Sequence, residues 1–361
     1  MTVQDVWPHS AARATTGEGL LRGWLLLTAA LILAMVMVGG ATRLTESGLS
    51  ITQWKPVTGV IPPLSLGDWQ AAFDGYKQIP QYAQMNPDMT LAGFKTIYWW
   101  EWSHRLLARV LGLIYIVPAL YFWSAGRLKG RLGARVGLAT ALLALEPIVG
   151  WWMVSSGLSV RTEVAQQRLA LHLLIAAATF GTLIYAAVGL SRRAPRPGAR
   201  GFSLAAHLFV ALVFVQLGLG ALVAGLRAGF VYNTWPLMDG RWIPKGLFAT
   251  TPAIRAIWSD VTTSQFDHRV FAYLVVLFAL VQAGVAARLG GGLAARAAVL
   301  AGAALIQAAL GIVTLLFVVP LDAALTHQAF ALILFGLAVA HASATRDEAA
   351  QTFSSRAPLN R

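Results

Sequence analysis

The chain has 361 residues, 57% of them hydrophobic and only 12% charged, where a soluble domain carries roughly 25% charged residues. Its net charge of +13 would suit a nucleic-acid binder, but the arginines lie in short loops between apolar stretches, where orientation in a membrane needs them. With no cysteine, disulfides, thiolate metal sites, iron–sulfur clusters and covalently attached c-type heme are excluded, and apolar segments that are many and internal are not a cleaved secretory signal.

Apolar stretches of about 20 residues, each able to cross a hydrocarbon core of ~30 Å, predict eight spanning helices at 22–42, 99–123, 135–155, 168–190, 202–224, 265–287, 296–318 and 325–345. A polar tail, 1–21, precedes the first and another, 346–361, follows the last. The connections after spans two, four and six are short and basic. They hold Arg127, Lys129, Arg131 and Arg135, then Arg192, Arg193, Arg196 and Arg200, then Arg288 and Arg296. Positive-inside bias puts these loops and both termini in the cytoplasm. The long connections, 43–98 and 225–264, then face outward, and their Trp, Pro and Gly suit a membrane interface.

The chain also repeats itself. Gly48 through Trp54 matches Gly229 through Trp235, His104-Arg105 matches His268-Arg269, Leu145 through Trp151 resembles Ile306 through Ile312, and His172 matches His327. Equivalents stand four spans apart, and an even number of spans preserves orientation. The expected architecture is therefore an all-α membrane protein of eight transmembrane helices, arranged as two parallel pseudo-repeated four-helix bundles, 22–190 and 202–345, joined by the basic linker 191–201.

Of seven histidines, His9 lies in the N-terminal tail, and His207 and His341 read as interfacial or helix-packing residues near cytoplasmic ends. The other four, His104, His172, His268 and His327, fall in the first turns of the predicted spans two, four, six and eight. That places all four in the outward leaflet, two per bundle. Ionisable residues inside a membrane are costly and mark function. A closed zinc site wants four ligands, whereas heme needs only two axial ligands because the porphyrin supplies the rest. Two helices giving one imidazole each can sandwich a porphyrin, and two bundles give two sites.

The halves differ chemically. Glu101 precedes His104 by three residues, one turn away on the same face, and Gln265 holds that position before His268. A carboxylate in one half only points to chemistry in the first bundle and a structural or electron-transfer heme in the second. The competing reading makes Glu101 a cap on a helix N-terminus.

These residues resemble the heme A synthase family over nearly the whole chain. The resemblance rests on Gly39 to Ile51 (GGATRLTESGLSI) followed by Trp54 to Gly59 (WKPVTG), on Glu101 to Arg105 (EWSHR), on Gly150 to Val154 (GWWMV), on Arg168 to Leu173 (RLALHL), and on Tyr232 to Gly240 (YNTWPLMDG). It implies oxidation of the C8 methyl of heme O to a formyl group, giving heme A for terminal oxidases. It further implies that Glu101 is the catalytic carboxylate, that His104 and His172 ligate the substrate heme iron, and that His268 and His327 ligate a heme b cofactor. The implied setting is a bacterial cytoplasmic (inner) membrane, with heme O synthase, an electron donor and lipid as partners, no nucleic acid, and a homo-oligomer left open. In two respects the chain departs from the family pattern. It lacks the paired outward-loop cysteines of some bacterial members, and Glu146 stands where a glutamine is expected before the Gly-Trp-Trp run. A carboxylate there must pair or be protonated.

Arg227, Arg241, Lys245 and Arg255 in the second outward loop are candidates for pairing heme propionates. A b-type cytochrome that only passes electrons, for instance from quinol, explains four histidines equally well but needs neither Glu101 in one half only nor unequal outward loops. A transporter of parallel repeats would need Gly/Pro breaks at mid-span, for which Pro118, Pro147 and Pro320 are thin support.

Overall fold

The computed structural model of the chain describes residues 16–190 and 199–354. His9, most of the N-terminal tail and of the 191–201 linker, and the last seven residues lie outside the described residues. Eight helices are long and apolar enough to cross a membrane. They are α1 (Thr16–Leu44), α2 (Leu91–Ser124), α3 (Gly130–Ser155), α4 (Gln166–Gly189), α5 (Ala199–Gly225), α6 (Val261–Leu289), α7 (Gly291–Leu316) and α8 (Leu321–Ser354). No strand forms among the described residues, only an isolated bridge between Met238 and Arg241. The protein is a multi-pass membrane protein, and it turns apolar surface outward accordingly: Leu113, Val117 and Leu120 of α2 and Leu277 and Val281 of α6 are exposed. In lipid that surface costs nothing, while every backbone polar group must be satisfied inside the helix.

Hydropathy located all eight spans but misplaced several ends. The largest error at a helix start is at α2, expected from residue 99 and observed from Leu91. Its 34 residues rise ~51 Å, so roughly 20 Å projects beyond a ~30 Å core. The projecting turns are capped by Thr90, whose hydroxyl accepts from Gly93 N at 3.2 Å. They carry Phe94 and Tyr98 into an aromatic cluster with Trp69, Phe73 and Tyr76. Those three come from a short helix, Leu66–Lys77, opened by a Ser65–Asp68 capping box. Together with the helix Pro80–Met85 they make a packed cap on the first half.

In the first half α1 packs on α2 and α4, and α3 packs on α4, while α2 and α3 barely touch. In the second half α5–α6, α6–α7, α7–α8 and α5–α8 all pack closely. The halves meet through α4–α5, α4–α8 and α1–α8. Helices in lipid associate by close packing on small residues rather than by a hydrophobic drive, and α4–α8 does so reciprocally. A Cβ on Gly336 would lie 2.9 Å from the Phe180 ring, and one on Gly181 would lie 2.9 Å from the Phe335 ring. Phe180-Gly181 and Phe335-Gly336 are equivalent positions of the repeat marked by His172 and His327.

The turns ending α1 and α5 correspond as well. Glu46 and Arg227, equivalent in the repeat, both have left-handed backbones, φ 56° and 52°, a conformation uncommon outside glycine. Arg227 pairs with Glu46 and, through Nε at 2.6 Å, with Glu163, which also binds Arg43 at 2.6 Å. This four-charge network ties the α1 turn, the α3–α4 loop and the α5 turn together.

Gly181→Leu or Gly336→Leu is expected to overpack the α4–α8 contact by about 1–3 kcal/mol. The readout is a lower thermal midpoint of the detergent-solubilised protein, and an unchanged midpoint in both would show that the contact is loose.

Candidate heme-binding site

Each of the four repeat histidines faces a glycine on a neighbouring helix. A Cβ on Gly150, Gly220 or Gly311 would lie 3.1, 3.1 and 2.8 Å from Cε1 of His172, His268 and His327, respectively. For His104 the facing residue is Gly39, and the nearest ring atom is Nε2, at 3.0 Å from such a Cβ. A side chain in any of these places would push the ring away, which is the reason a helix-weakening residue recurs there. His104 and His172 lie close enough for a charge on one to act on the other, as do His268 and His327.

The helix depth differs from the sequence expectation. His172, His268 and His327 lie about two turns into α4, α6 and α8, but His104 lies roughly three and a half turns into α2. The extra length is the projecting stalk, so the four imidazoles still sit near the face that carries the long loops.

Four residues before each facing glycine stands a second recurrent position on the same helix face. In the second half it holds Gln216, whose Nε2 lies 3.0 Å from His268 Nδ1 and donates to His268 O at 3.0 Å. Gln307 repeats this on His327, at 3.1 Å to both atoms. In the first half the position before Gly150 holds Glu146, with Oε2 2.5 Å from His172 Nδ1. That contact is close but not aligned as a hydrogen bond, and the other oxygen, Oε1, is buried without a partner. Before Gly39 the position holds Met35. Sequence reasoning flagged Glu146 without a role and missed Gln216 and Gln307. The four-residue spacing to glycine was the available signal.

The residue after each first histidine ties down the long loop. Arg105 donates to Ile51 O at 2.9 Å and Gln53 O at 3.1 Å. Arg269 donates to Tyr232 O at 2.7 Å and Thr234 O at 2.8 Å. These four carbonyls are pairwise equivalent in the repeat, so each loop is fastened in the same way beside its histidine. Glu101 takes part in this in the first half. It is 3% exposed, and its carboxylate accepts from Ser50 Oγ at 2.8 Å, Ile51 N at 2.8 Å and Arg105 at 2.6 Å. Because α2 begins at Leu91, Glu101 is interior to the helix, and the reading as an N-terminal cap is removed. Gln265 in the second half is also buried and donates to Tyr232 O at 3.2 Å.

Among the other histidines, His207 is satisfied by Tyr185 at 3.1 Å and Ser203 O at 2.7 Å. His341 is buried edge-on against Phe202. Of the suggested propionate partners, Arg227 is held by Glu46 and Glu163, whereas Arg241, Lys245 and Arg255 are exposed.

The donor set fits a porphyrin. Among the described residues no three His, Cys, Asp or Glu side chains converge into a metal cage. All four remain only partly buried, and glycine backs each ring. A pair of neutral imidazoles from alternate helices suits the two axial positions of a heme iron.

Eight membrane-crossing helices carrying such pairs on α2/α4 and α6/α8 define a multi-pass membrane protein of the heme-handling kind. The chain belongs to the cytochrome oxidase assembly protein family (COX15-CtaA), whose profile matches residues 22–339. It is 49% identical over 340 residues to the heme A synthase of Brucella ovis, covering 94% of this chain and 95% of that protein. It is 50% identical over 355 residues to the heme A synthase of Beijerinckia indica subsp. indica, covering 95% and 99%. The family resemblance read from the motifs therefore holds.

Gly311→Ala is expected to displace the His327 ring and weaken heme retention by about tenfold or more, the usual scale for a disturbed ligand support. Heme content and the reduced-minus-oxidised spectrum of purified protein measure it. Full retention would mean that the facing glycine has no bearing on the ligand.

Proposed function

We propose that this chain is a heme A synthase that oxidises the C8 methyl of heme O to a formyl group. In this reading His104 and His172 ligate the substrate heme iron in the first half, and His268 and His327 ligate a heme b cofactor in the second. The observation that carries the assignment of the halves is the fixed Glu101 carboxylate one turn from His104, opposed to a neutral amide, Gln265, at the equivalent place. The sparse α2–α3 contact supports it too. A lipid-soluble substrate needs a lateral way in from the membrane, and the closely packed α6–α7 pair suits a cofactor that stays.

Two parallel four-helix bundles best account for the reciprocal Phe180/Gly336 and Phe335/Gly181 packing and for the matched left-handed turns at Glu46 and Arg227. The basic short loops then face the cytoplasm of a bacterial inner membrane, both termini with them, and the imidazoles lie toward the outward side. Heme O synthase as supplier and an electron donor complete the setting.

Converting a methyl to a formyl group removes four electrons and adds one oxygen atom, and the second hydroxylation gives a diol that loses water. The heme iron supplies the redox chemistry. The protein's part is positioning. Arg105 and Arg269 hold the loops that close the sites, and the glycines set the ring positions. Glu101 accepts from three donors at once, so it stands as a preorganised charge. Such a group stabilises positive charge developing at the methyl carbon without reorganising during the reaction.

Two outcomes test this. His268→Ala and His327→Ala are each expected to abolish the low-spin heme b spectrum while the protein still inserts, and unchanged heme b in both removes the cofactor assignment. Glu101→Gln is expected to keep both hemes and lower conversion of heme O to heme A by about 10²-fold or more, measured by extraction and chromatography of membrane hemes. Wild-type heme A yield in that variant would reduce Glu101 to a loop tether, and no conversion by the wild-type chain would leave an electron-passing cytochrome.

A further inference from the structure

We propose that the two axial histidines of the first half are deliberately unequal: Glu146 fixes His172 as the permanent ligand, and Met35 leaves His104 as the ligand that swings off the iron. This rests on the ligand assignment above and adds two positioning residues to it.

The argument comes from the fourfold recurrence of one arrangement, a facing glycine with an anchoring position four residues before it. In the second half both anchors are amides, Gln216 and Gln307. Each is held to its histidine twice, at Nδ1 and at the backbone carbonyl. The two imidazoles of that pair are equally supported; with iron on Nε2 the hydrogen would sit on Nδ1, and the amide would turn its oxygen to it. In the first half the two anchors differ from the amides in opposite senses. Glu146 places Oε2, an acceptor, 2.5 Å from Nδ1; the two are not aligned in this structure, and a small rotation of the ring would make the hydrogen bond. An amide presents either a donor or an acceptor, but a carboxylate can only receive a proton from Nδ1. It therefore selects the tautomer in which Nδ1 carries the hydrogen and the Nε2 lone pair is free for iron. A carboxylate behind a ligating imidazole also raises the ligand's basicity and fixes its orientation.

Met35 does the reverse. A thioether donates no hydrogen bond and accepts only weakly, and no hydrogen bond to the His104 ring is found among the described residues. The rings respond accordingly. His172, His268 and His327, with polar anchors, all present Cε1 to their glycines. His104 alone is turned, with Nε2 and Cδ2 nearest Gly39 at 3.0 and 3.4 Å from the Cβ position. The ring without an anchor is the one in a different rotation.

The inequality answers a requirement of the chemistry. With both histidines bound no coordination position is open, and with neither bound the substrate is not held. One firm and one releasable ligand satisfy both needs, and the releasable one is next to Glu101. Glu101 stands one turn from His104, where a coordination position would open, and Glu146 would hold His172 in place as the remaining ligand.

The test uses the full-length chain, purified in detergent with heme b and loaded with heme O. The probe is carbon monoxide, which binds ferrous heme where an axial ligand departs. Carbon monoxide is expected to bind the first-half heme and not heme b. Met35→Gln, which supplies the missing amide, is expected to weaken that binding about 5- to 10-fold, the equilibrium worth of one hydrogen bond. Met35→Leu, of similar bulk and equally without an anchor, is expected to bind as wild type, which separates anchoring from packing. Glu146→Gln is expected to raise the reduction potential of the first-half heme. The reciprocal Gln307→Glu is expected to lower that of heme b, a shift that loss of packing does not produce. Equal carbon monoxide binding in wild type and Met35→Gln, with potentials unmoved by both carboxylate–amide exchanges, would overturn the inference while leaving the ligands assigned. A second heme signal that survives both His104→Ala and His172→Ala would overturn the ligand assignment and this inference with it.

Discussion

An imidazole in a hydrocarbon layer needs something to hold each of its nitrogens, because water is not there to do so. Much of the site's architecture follows from how that need is met. Where one nitrogen is kept for a metal, the other must be supported by a neighbouring helix, and the neighbour must come close enough to do it. Glycine gives the approach at all four histidines, and a polar side chain one turn away stands beside three of them. The histidine–glycine contacts set the distance of four helix pairs, α1 to α2, α3 to α4, α5 to α6 and α7 to α8. Binding geometry and tertiary packing are one set of contacts.

The long loops depend on the same helices. Arg105 and Arg269 sit beside His104 and His268 and reach back to carbonyls of the chain that has just left the preceding helix. A guanidinium can satisfy two carbonyls at once at fixed spacing, which is the reason a dipeptide of histidine and arginine recurs. The fastening makes the loop a wall of the site. In the first half the wall also delivers a hydroxyl and a backbone N–H to Glu101, so the cap over α2 and the carboxylate are built together. In the second half the same wall meets an amide, and no carboxylate stands in the corresponding place.

How much of this was legible in the sequence depends on the range of the interaction. The eight helices were, because hydrocarbon thickness imposes a length on apolar runs and any window of that length detects them. The four histidines were, because equivalent positions in a repeat are visible without coordinates. The stalk of α2 was not, since Leu91 to Tyr98 is amphipathic and owes its helicity to Trp69, Phe73 and Tyr76 across the loop. Glu101 was chosen by its spacing from His104. Its alternative as a cap fell only when the helix was seen to begin ten residues earlier. Gln216, Gln307 and Met35 were missed because their contacts lie on other helices, although a search for any side chain four residues before a mid-helix glycine would have found all of them with Glu146.

The network joining Arg43, Glu163, Arg227 and Glu46 has a bearing on how the two halves meet. Glu46 and Arg227 occupy the same place in the two repeats and share a left-handed backbone, yet they carry opposite charge and face each other. Two copies of the first half meeting in this way would set glutamate against glutamate, and two copies of the second would set arginine against arginine. The pairing therefore favours contact between unlike halves over contact between two copies of either one.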